Sequence, residues 1–400
     1  MAKKKTLIIV VALAVLLLVT ILGGRCLYNK ALASGRKALI IESGYLPLLE
    51  AMELIKYKIV SNDATDYSFS KQDGGIDVVI DFYLNEERCV KGEYTFGLSG
   101  NILHADGIDY ISGDKFAAIT NVYVEYAEDG LVGYHSNYQG HDWTKVFAPL
   151  VAHSNGVYRE ADKNTIYNNS LDGMIQNYNL GHRVFENDFC MTTDGDLAVL
   201  HDWGSVVGEP MTAAQWKQQE TIYGAKCRTM LIGDVLDQMI INKDMFMVTD
   251  TKTAQIGEQM KKEFQIIKDE AVKRDPELLN RIIPQIYNRE MYTVVKDIYP
   301  FPSIIFTLYL TQETDDEIVS FVAENDDIKV VTIASDGSGR LHLAERLGEY
   351  DKLVYAHTPN AFGDIQALSQ QGVDGFYTDF ILPRDWKTYD EVVKGQATVQ

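Results

Sequence analysis

The sequence predicts an α/β fold, a (β/α)8 TIM barrel over residues 146–390, preceded by a transmembrane helix and a small strand-rich region. Three observations lead to the barrel. After Trp143 the chain alternates strand-length apolar runs with helix-length amphipathic stretches, the pattern of a parallel sheet with crossover helices. The strand runs number eight, and about 250 residues for eight such units is the size of one closed barrel. Charged side chains stand at the C-terminal ends of the first three runs, where a barrel collects its functional residues.

The eight runs are Pro149–His153, Arg183–Met191, Met245–Lys252, Arg281–Asn288, Ser303–Leu310, Lys329–Ser335, Leu353–Thr358 and Asp374–Phe380. Helical periodicity fills the intervals, as at Asn169–Leu180, Ile232–Ile241, Ile256–Arg274, Glu290–Ile298 and Asp316–Glu324. Ahead of the barrel, residues 26–71 read as a stem and mixed segment with an amphipathic helix around Tyr45–Ile59. Residues 72–145 read as a small antiparallel β-rich region, from four runs at I-D-V-V-I-D-F-Y, C-V-K-G-E-Y-T-F, I-T-N-V-Y-V-E-Y and L-V-G-Y-H-S-N-Y. Its His104 and His135 are assigned no chemistry, and the region fits a spacer or an adaptor for a wall polymer or partner. Residues 391–400 form a C-terminal tail.

At the start, Lys3-Lys4-Lys5 precedes an apolar run from Leu7 to Leu22. This is close to the length that spans a bilayer, roughly 17–25 residues, and the lysines set the N-terminus on the cytoplasmic side. Residues 1–25 are therefore expected to be a cytoplasmic tail and single-pass anchor, with the catalytic domain outside the cell membrane. A cleaved signal peptide, with Ala31-Leu32-Ala33 as its small-x-small site, is the competing reading, and it too exports the chain. The net charge of -20 speaks against nucleic-acid binding, which depends on clustered Lys and Arg. The four cysteines have no metal-ligand spacing and are too few for a disulfide scaffold. Cys190 and Cys227 are read either as a pair or as two buried thiols.

A strand repeats every two residues, so Glu186 and Asp188 share one face, and so do Asp250 and Lys252. The turn Thr193-Asp194-Gly195-Asp196 and the apolar run Leu197–Leu200 then deliver His201-Asp202. Barrel closure would bring Glu186, Asp188 and Asp250 together as oxygen ligands for one hard divalent cation, Mg2+ or Ca2+. Lys252 would add a positive group for a phosphate. His153 and His201 would flank the site as general acid and base, since imidazole titrates near neutrality. Singly, each feature is usually a solvated ion pair or a hydrogen-bonded histidine. Together they are harder to dismiss, because a helix-covered strand offers inward charges no solvent. His182, at a strand start, reads as structural, whereas Gln285, Tyr309, His357 and Asp379 are placed by position as pocket-lining substrate residues.

The segment from Leu150 to about Trp386 resembles the glycerophosphodiester phosphodiesterase family, and more closely its branch of bacterial, membrane-anchored proteins similar to phosphatidylinositol-specific phospholipase C. The resemblance rests on A-H-S-N-G at His153, Tyr167-Asn168-Asn169-Ser170-Leu171, F-E-N-D-F with T-T-D-G-D-L-A-V-L-H-D-W, and D-x-K at Asp250. It continues through Pro284-Gln285-Ile286-Tyr287, H-T-P-N at His357 and G-V-D-G-F-Y-T-D-F. It implies that His153 and His201 are the acid and base, that Glu186, Asp188 and Asp250 bind the metal, and that the substrate is a lipid-derived or wall-polymer phosphodiester. Three positions depart from the family's pattern: Ser154 where an Arg is usual, Asn168 where a Glu is usual, and Asp250 where a Glu is usual, a form also seen in the similar sphingomyelinase D enzymes. Two other readings remain: a catalytically inactive barrel acting as an extracellular binding module, and an envelope-assembly protein working through the region before Trp143.

Overall fold

The computed structural model describes residues 35–63, 65–126, 132–136, 142–161, 163–252, 257–336, 340–388 and 390. The expected anchor and the C-terminal tail lie outside the described residues. Among the described residues, no helix is long and apolar enough to cross a membrane. The chain divides into two units, one of residues 1–69, 82–89 and 97–136, the other of residues 70–81, 90–96 and 137–400.

Eight parallel strands close a barrel within the second unit: β1 (Leu150–Ala152), β2 (Val184–Met191), β3 (Phe246–Asp250), β4 (Ile282–Ile286), β5 (Ile304–Thr307), β6 (Ile328–Ala334), β7 (Leu353–His357) and β8 (Gly375–Thr378). Each strand hydrogen-bonds to the next in sequence, and closure is made where β1 pairs with both β8 and β2. The helices between them are α1 (Leu171–Asn179), α2 (Ile232–Ile241), α3 (Glu258–Arg274), α4 (Arg289–Ile298), α5 (Asp315–Glu324), α6 (Leu343–Gly348) and α7 (Phe362–Ser369). Several start on side-chain caps that satisfy first-turn N–H groups. Ser170 accepts from Gly173 N at 3.0 Å, Asn288 from Met291 N at 2.8 Å, and Thr314 forms a reciprocal box with Glu317.

The barrel interior follows the two-residue repeat of its strands. Val151, Val184, Phe246, Val248, Ile283, Ile305, Val330, Tyr355 and Tyr377 form one buried cluster, joined by Trp143, whose indole N–H donates to Ser303 Oγ at 2.9 Å. One or two steps of two further along the same faces stand His153, Glu186, Asp188, Asp250, Gln285, Thr307 and His357. Each strand thus changes from apolar to polar along a single inner face, which places the polar groups over a dry core.

β2 is the longest of the eight and serves two sheets. Its first part pairs in parallel with β3, with Asp188 opposite Asp250. Its last residues turn into an antiparallel hairpin with Leu197–Val199, closed by Gly195 at φ 90° and by Asp196 N–H donating to Thr192 Oγ1 at 2.8 Å. Leu200 N–H then bonds Asp188 O at 3.1 Å, which returns His201 to the acidic pair from which the chain departed.

Ahead of the barrel the fold is richer than the four expected strands. One sheet joins Tyr45–Pro47, Ile108–Ser112 and Ile102–Ala105; another runs in chain order through Lys58–Asn62, Asp66–Asp73, Ile76–Tyr83, Arg88–Lys91 and Tyr94–Gly97; Val122–Tyr126 pairs with Val132–Ser136. The expected helix at Tyr45–Ile59 is confined to Leu48–Leu54, between two short strands. The C-V-K-G-E-Y-T-F run is two strands because Gly92, at φ 58°, turns the chain between them. The run expected from Ile119 begins only at Val122. Ser112 caps a helix at Gly113–Thr120, and Asn121 ends it in the left-handed region.

Candidate active site

Glu186, Asp188 and Asp250 project from neighbouring strands, all buried, with one carboxylate oxygen of each within 4.8 Å of the others. The β2–β3 register forces this convergence, since Asp188 and Asp250 are Cα partners and Glu186 is two residues below. Lys252 Nζ reaches in at 2.5 Å from Asp188 Oδ1 and 2.6 Å from Asp250 Oδ2. Three carboxylates against one ammonium leave an excess of negative charge in a buried place. Burial and the neighbouring Asp188 charge push the Glu186 carboxyl well above the usual range. Burial would raise Asp188 as well, but Lys252 and His153 outweigh it and hold that carboxyl below its ordinary value. Lys252 is driven the opposite way: burial favours its neutral form, and the Asp188 and Asp250 charges prevail and raise it.

The carboxylates are oriented from behind. Ser154 donates its backbone N–H to Glu186 Oε2 at 2.6 Å and its hydroxyl to Asp188 Oδ2 at 2.8 Å, and Asn169 Nδ2 donates to the same oxygen at 2.7 Å. Asp250 Oδ1 accepts from the Tyr287 hydroxyl, which itself accepts from Gln285 Nε2 at 3.3 Å, while Gln285 Oε1 accepts from the Tyr377 hydroxyl at 3.0 Å. Asn168 takes no part in this shell. Its amide ties the loop together, donating to Gly156 O at 2.7 Å and accepting from Ser170 Oγ at 2.6 Å.

The two histidines stand on either side. His153 continues β1, is 14% exposed, and shares a 2.9 Å hydrogen bond through Nδ1 with Asp379, which is 4% exposed. Burial alone would lower this imidazole; the Asp379 bond and the Glu186 and Asp188 charges outweigh it and raise it to about 9. His201 is more open, at 38% exposed, and its Nδ1 lies 3.0 Å from Asp202 Oδ2. Asp202 is fixed in turn as the N-cap of Trp203–Val206. The Tyr167 ring packs edge-to-face on both imidazoles, 4.8 Å from His153 and 5.0 Å from His201.

A cavity of about 220 Å³ lies between these groups, lined by His153, Tyr167, Glu186, His201, Asp250, Lys252, Gln285, Thr307, Tyr309, His357, Thr358 and Tyr377. Of the ten site residues expected from sequence, eight line it. Asp188 is buried beneath, and Asp379 is buried behind His153. His357 is lowered to about 4 by burial, so it faces the cavity as a neutral ring. Two larger depressions, of about 790 and 590 Å³, contain none of the carboxylate cluster. Sequence reasoning missed Tyr287, Tyr377 and Thr307, although each sits two residues from a position it had placed in the wall. It also missed Tyr167, which comes from a loop with no period to reveal it.

Residues 159–382, more than half of the chain, match the Glycerophosphoryl diester phosphodiesterase family. The chain belongs to that family. It is a family phosphodiesterase whose matched residues hold every group of the cluster except His153 and Ser154. Among solved structures it is similar to a glycerophosphodiester phosphodiesterase from Parabacteroides distasonis, at 14% identity over 62% of this chain and 98% of that one, with a TM-score of 0.50. It is also similar to an Oleispira antarctica phosphodiesterase in complex with the product sn-glycerol-3-phosphate, at 13% identity over 62% and 99% of the two chains, TM-score 0.48. A glycerophosphodiester phosphodiesterase from Thermotoga maritima matches at 13% identity over 61% and 98%, TM-score 0.44. At 14% identity the likeness to the Parabacteroides distasonis structure speaks to the fold alone. No curated protein matches the sequence.

Proposed function

We propose that this family phosphodiesterase hydrolyses glycerophosphodiesters with His153 and His201 as general acid and base and a divalent cation held by Glu186, Asp188 and Asp250. The observation that carries the reading is the pair of imidazoles, each oriented through Nδ1 by a carboxylate, facing one cavity over a buried acidic triad. The triad suits a hard cation. Oxygens on a shell of about 2.0–2.6 Å radius lie up to about 4–5 Å apart, as these do. Three acids outnumber the one ammonium, which is paired with two of them, and a cation among them would offset that excess. Mg2+ and Ca2+ both meet these demands, and when bound either ion supplies Lewis-acid stabilisation of charge at phosphorus.

The chain's own groups do the rest. Lys252 adds fixed positive charge beside the phosphoryl group. One imidazole removes the proton from the substrate's own neighbouring hydroxyl as it attacks phosphorus, and the other protonates the departing alkoxide; water then opens the cyclic phosphate with the two roles exchanged, which completes the hydrolysis. Ser154 and Asn168, two of the three departures from the family's pattern, both have work inside the chain: Ser154 clamps the carboxylates and Asn168 locks the loop. An outward-facing location at the membrane is part of this proposal, supported by Lys3-Lys4-Lys5 and the apolar run after them.

The test is hydrolysis of glycerophosphodiesters by the purified chain with Mg2+ or Ca2+. His153→Ala and His201→Ala are each expected to lose about 10²–10⁴-fold in kcat with unchanged circular dichroism. EDTA should abolish turnover and either ion should restore it. Full activity in either variant removes that histidine from the scheme, and turnover in excess chelator removes the cation.

A further inference from the structure

Tyr167 is equidistant from the two imidazoles, with ring planes at 81° and 76° to them, and it lines the cavity with Lys252. The Tyr167 ring therefore stands between the two groups assigned the acid and base work. We propose that Tyr167 is a phosphate-binding residue, its O–H donating to a phosphoryl oxygen held between His153 and His201. The proposal rests on the phosphodiesterase reading above and adds a ligand-binding group to it.

The donors around the cavity are mostly committed elsewhere. Ser154 spends both N–H and O–H on Glu186 and Asp188. Lys252 is paired with Asp188 and Asp250. The Tyr287 hydroxyl is spent on Asp250 and that of Tyr377 on Gln285. Each imidazole has its Nδ1 on a carboxylate. The Tyr167 hydroxyl, by contrast, has no hydrogen-bond partner among the described residues. Tyr167 thus keeps an uncommitted O–H on the cavity wall.

The loop holds the ring there. Tyr167 and Asn169 both have left-handed backbones, at φ 54° and 48°, and the Asn168 side chain between them bonds Gly156 O, Thr165 O and Ser170. A bulky residue at positive φ is costly and persists where its surroundings fix it. Burial and the Asp379 and Asp188 charges keep the phenol protonated, hence a donor.

The bland counterpart is an aromatic spacer that only separates the imidazoles, and Tyr167→Phe tells the two apart because it keeps the ring and removes the O–H. Titrate the full chain with inorganic phosphate, with Mg2+ present, by calorimetry and 31P NMR. We expect Tyr167→Phe to bind phosphate at least about tenfold more weakly, as loss of a hydrogen bond to a charged group implies. In parallel kinetics the loss should appear in KM, with near-UV circular dichroism unchanged. Wild-type affinity in Tyr167→Phe overturns the proposal, above all if Tyr167→Leu loses turnover, and so does failure of the wild-type chain to bind phosphate. A chain that binds phosphate but cleaves no diester refutes the phosphodiesterase scheme and leaves the phosphate comparison to decide Tyr167.

Discussion

Asp379 has two oxygens and two partners, and the partners want opposite things from a replacement. Oδ1 faces His153 Nδ1 at 2.9 Å, and Oδ2 accepts from Asn360 Nδ2 at 2.8 Å. Asn360 cannot turn over, because its Oδ1 already accepts from Asp379 N–H at 2.8 Å and Thr378 Oγ1 at 3.0 Å. In Asp379→Asn the new amide must point its NH2 either at Asn360's NH2 or at His153, and the latter enforces the wrong imidazole tautomer. We expect kcat to fall by about 10²-fold or more with KM little changed; wild-type kcat would show that His153 does not depend on this carboxylate. Such detail marks what was legible at residue scale. The carboxylates and histidines could be read because charges repeated at strand spacing have no place in a barrel wall unless they meet. The partners that orient them, Asn360, Asn169 and Tyr287, are ordinary residues whose roles follow from three-dimensional approach alone.

At the scale of elements, β7 and β8 pack through a missing side chain. Gly375 opens β8 on its inner face, and a Cβ there would overlap the Tyr355 ring of β7. That ring is 1% exposed and packs edge-to-face on Trp143 at 5.9 Å, so it has no room to retreat. Gly375→Ala should therefore cost about 1–3 kcal/mol, the usual range for overpacking, read as a lower midpoint of thermal unfolding. Adding Tyr355→Leu should recover part of that loss, a coupling expected only of groups in contact; an unshifted midpoint in the single variant would show that the strands give way freely. The eight barrel strands were legible because strands covered by helices read as continuous apolar runs bounded by helical periods. The region before Trp143 was less so. Its strands are half exposed, Lys58–Asn62 is exposed throughout, and helix and strand there change over at single residues such as Asn121, where capping decides and hydrophobic period does not.

The whole molecule carries a pH dependence set by its buried histidines. His182 is 1% exposed, its Nε2 lies 3.1 Å from Ile381 O, and Nδ1 is buried without a partner. Burial lowers it to about 3. An unfolded chain would take up this proton near 6.5. As pH falls below that value the unfolded state binds a proton that the fold refuses until about 3, so acid favours unfolding. The penalty grows by about 1.4 kcal/mol per pH unit at most. His357, lowered to about 4, adds a term of the same sign. His153 runs the other way. Held at about 9, it is protonated in both states below 6.5, so it gives no slope there, and its stabilisation is lost as pH rises toward 9. Between pH 5 and 6.5 ordinary carboxylates stay ionised, so acid loss in that window comes chiefly from the neutral buried imidazoles. His182→Gln keeps an N–H donor for Ile381 O and removes the titration. Its urea midpoint should be flatter than wild type between pH 6.5 and 5, with the two chains nearest in stability at the acid end; parallel slopes would mean that His182 is protonated in the fold.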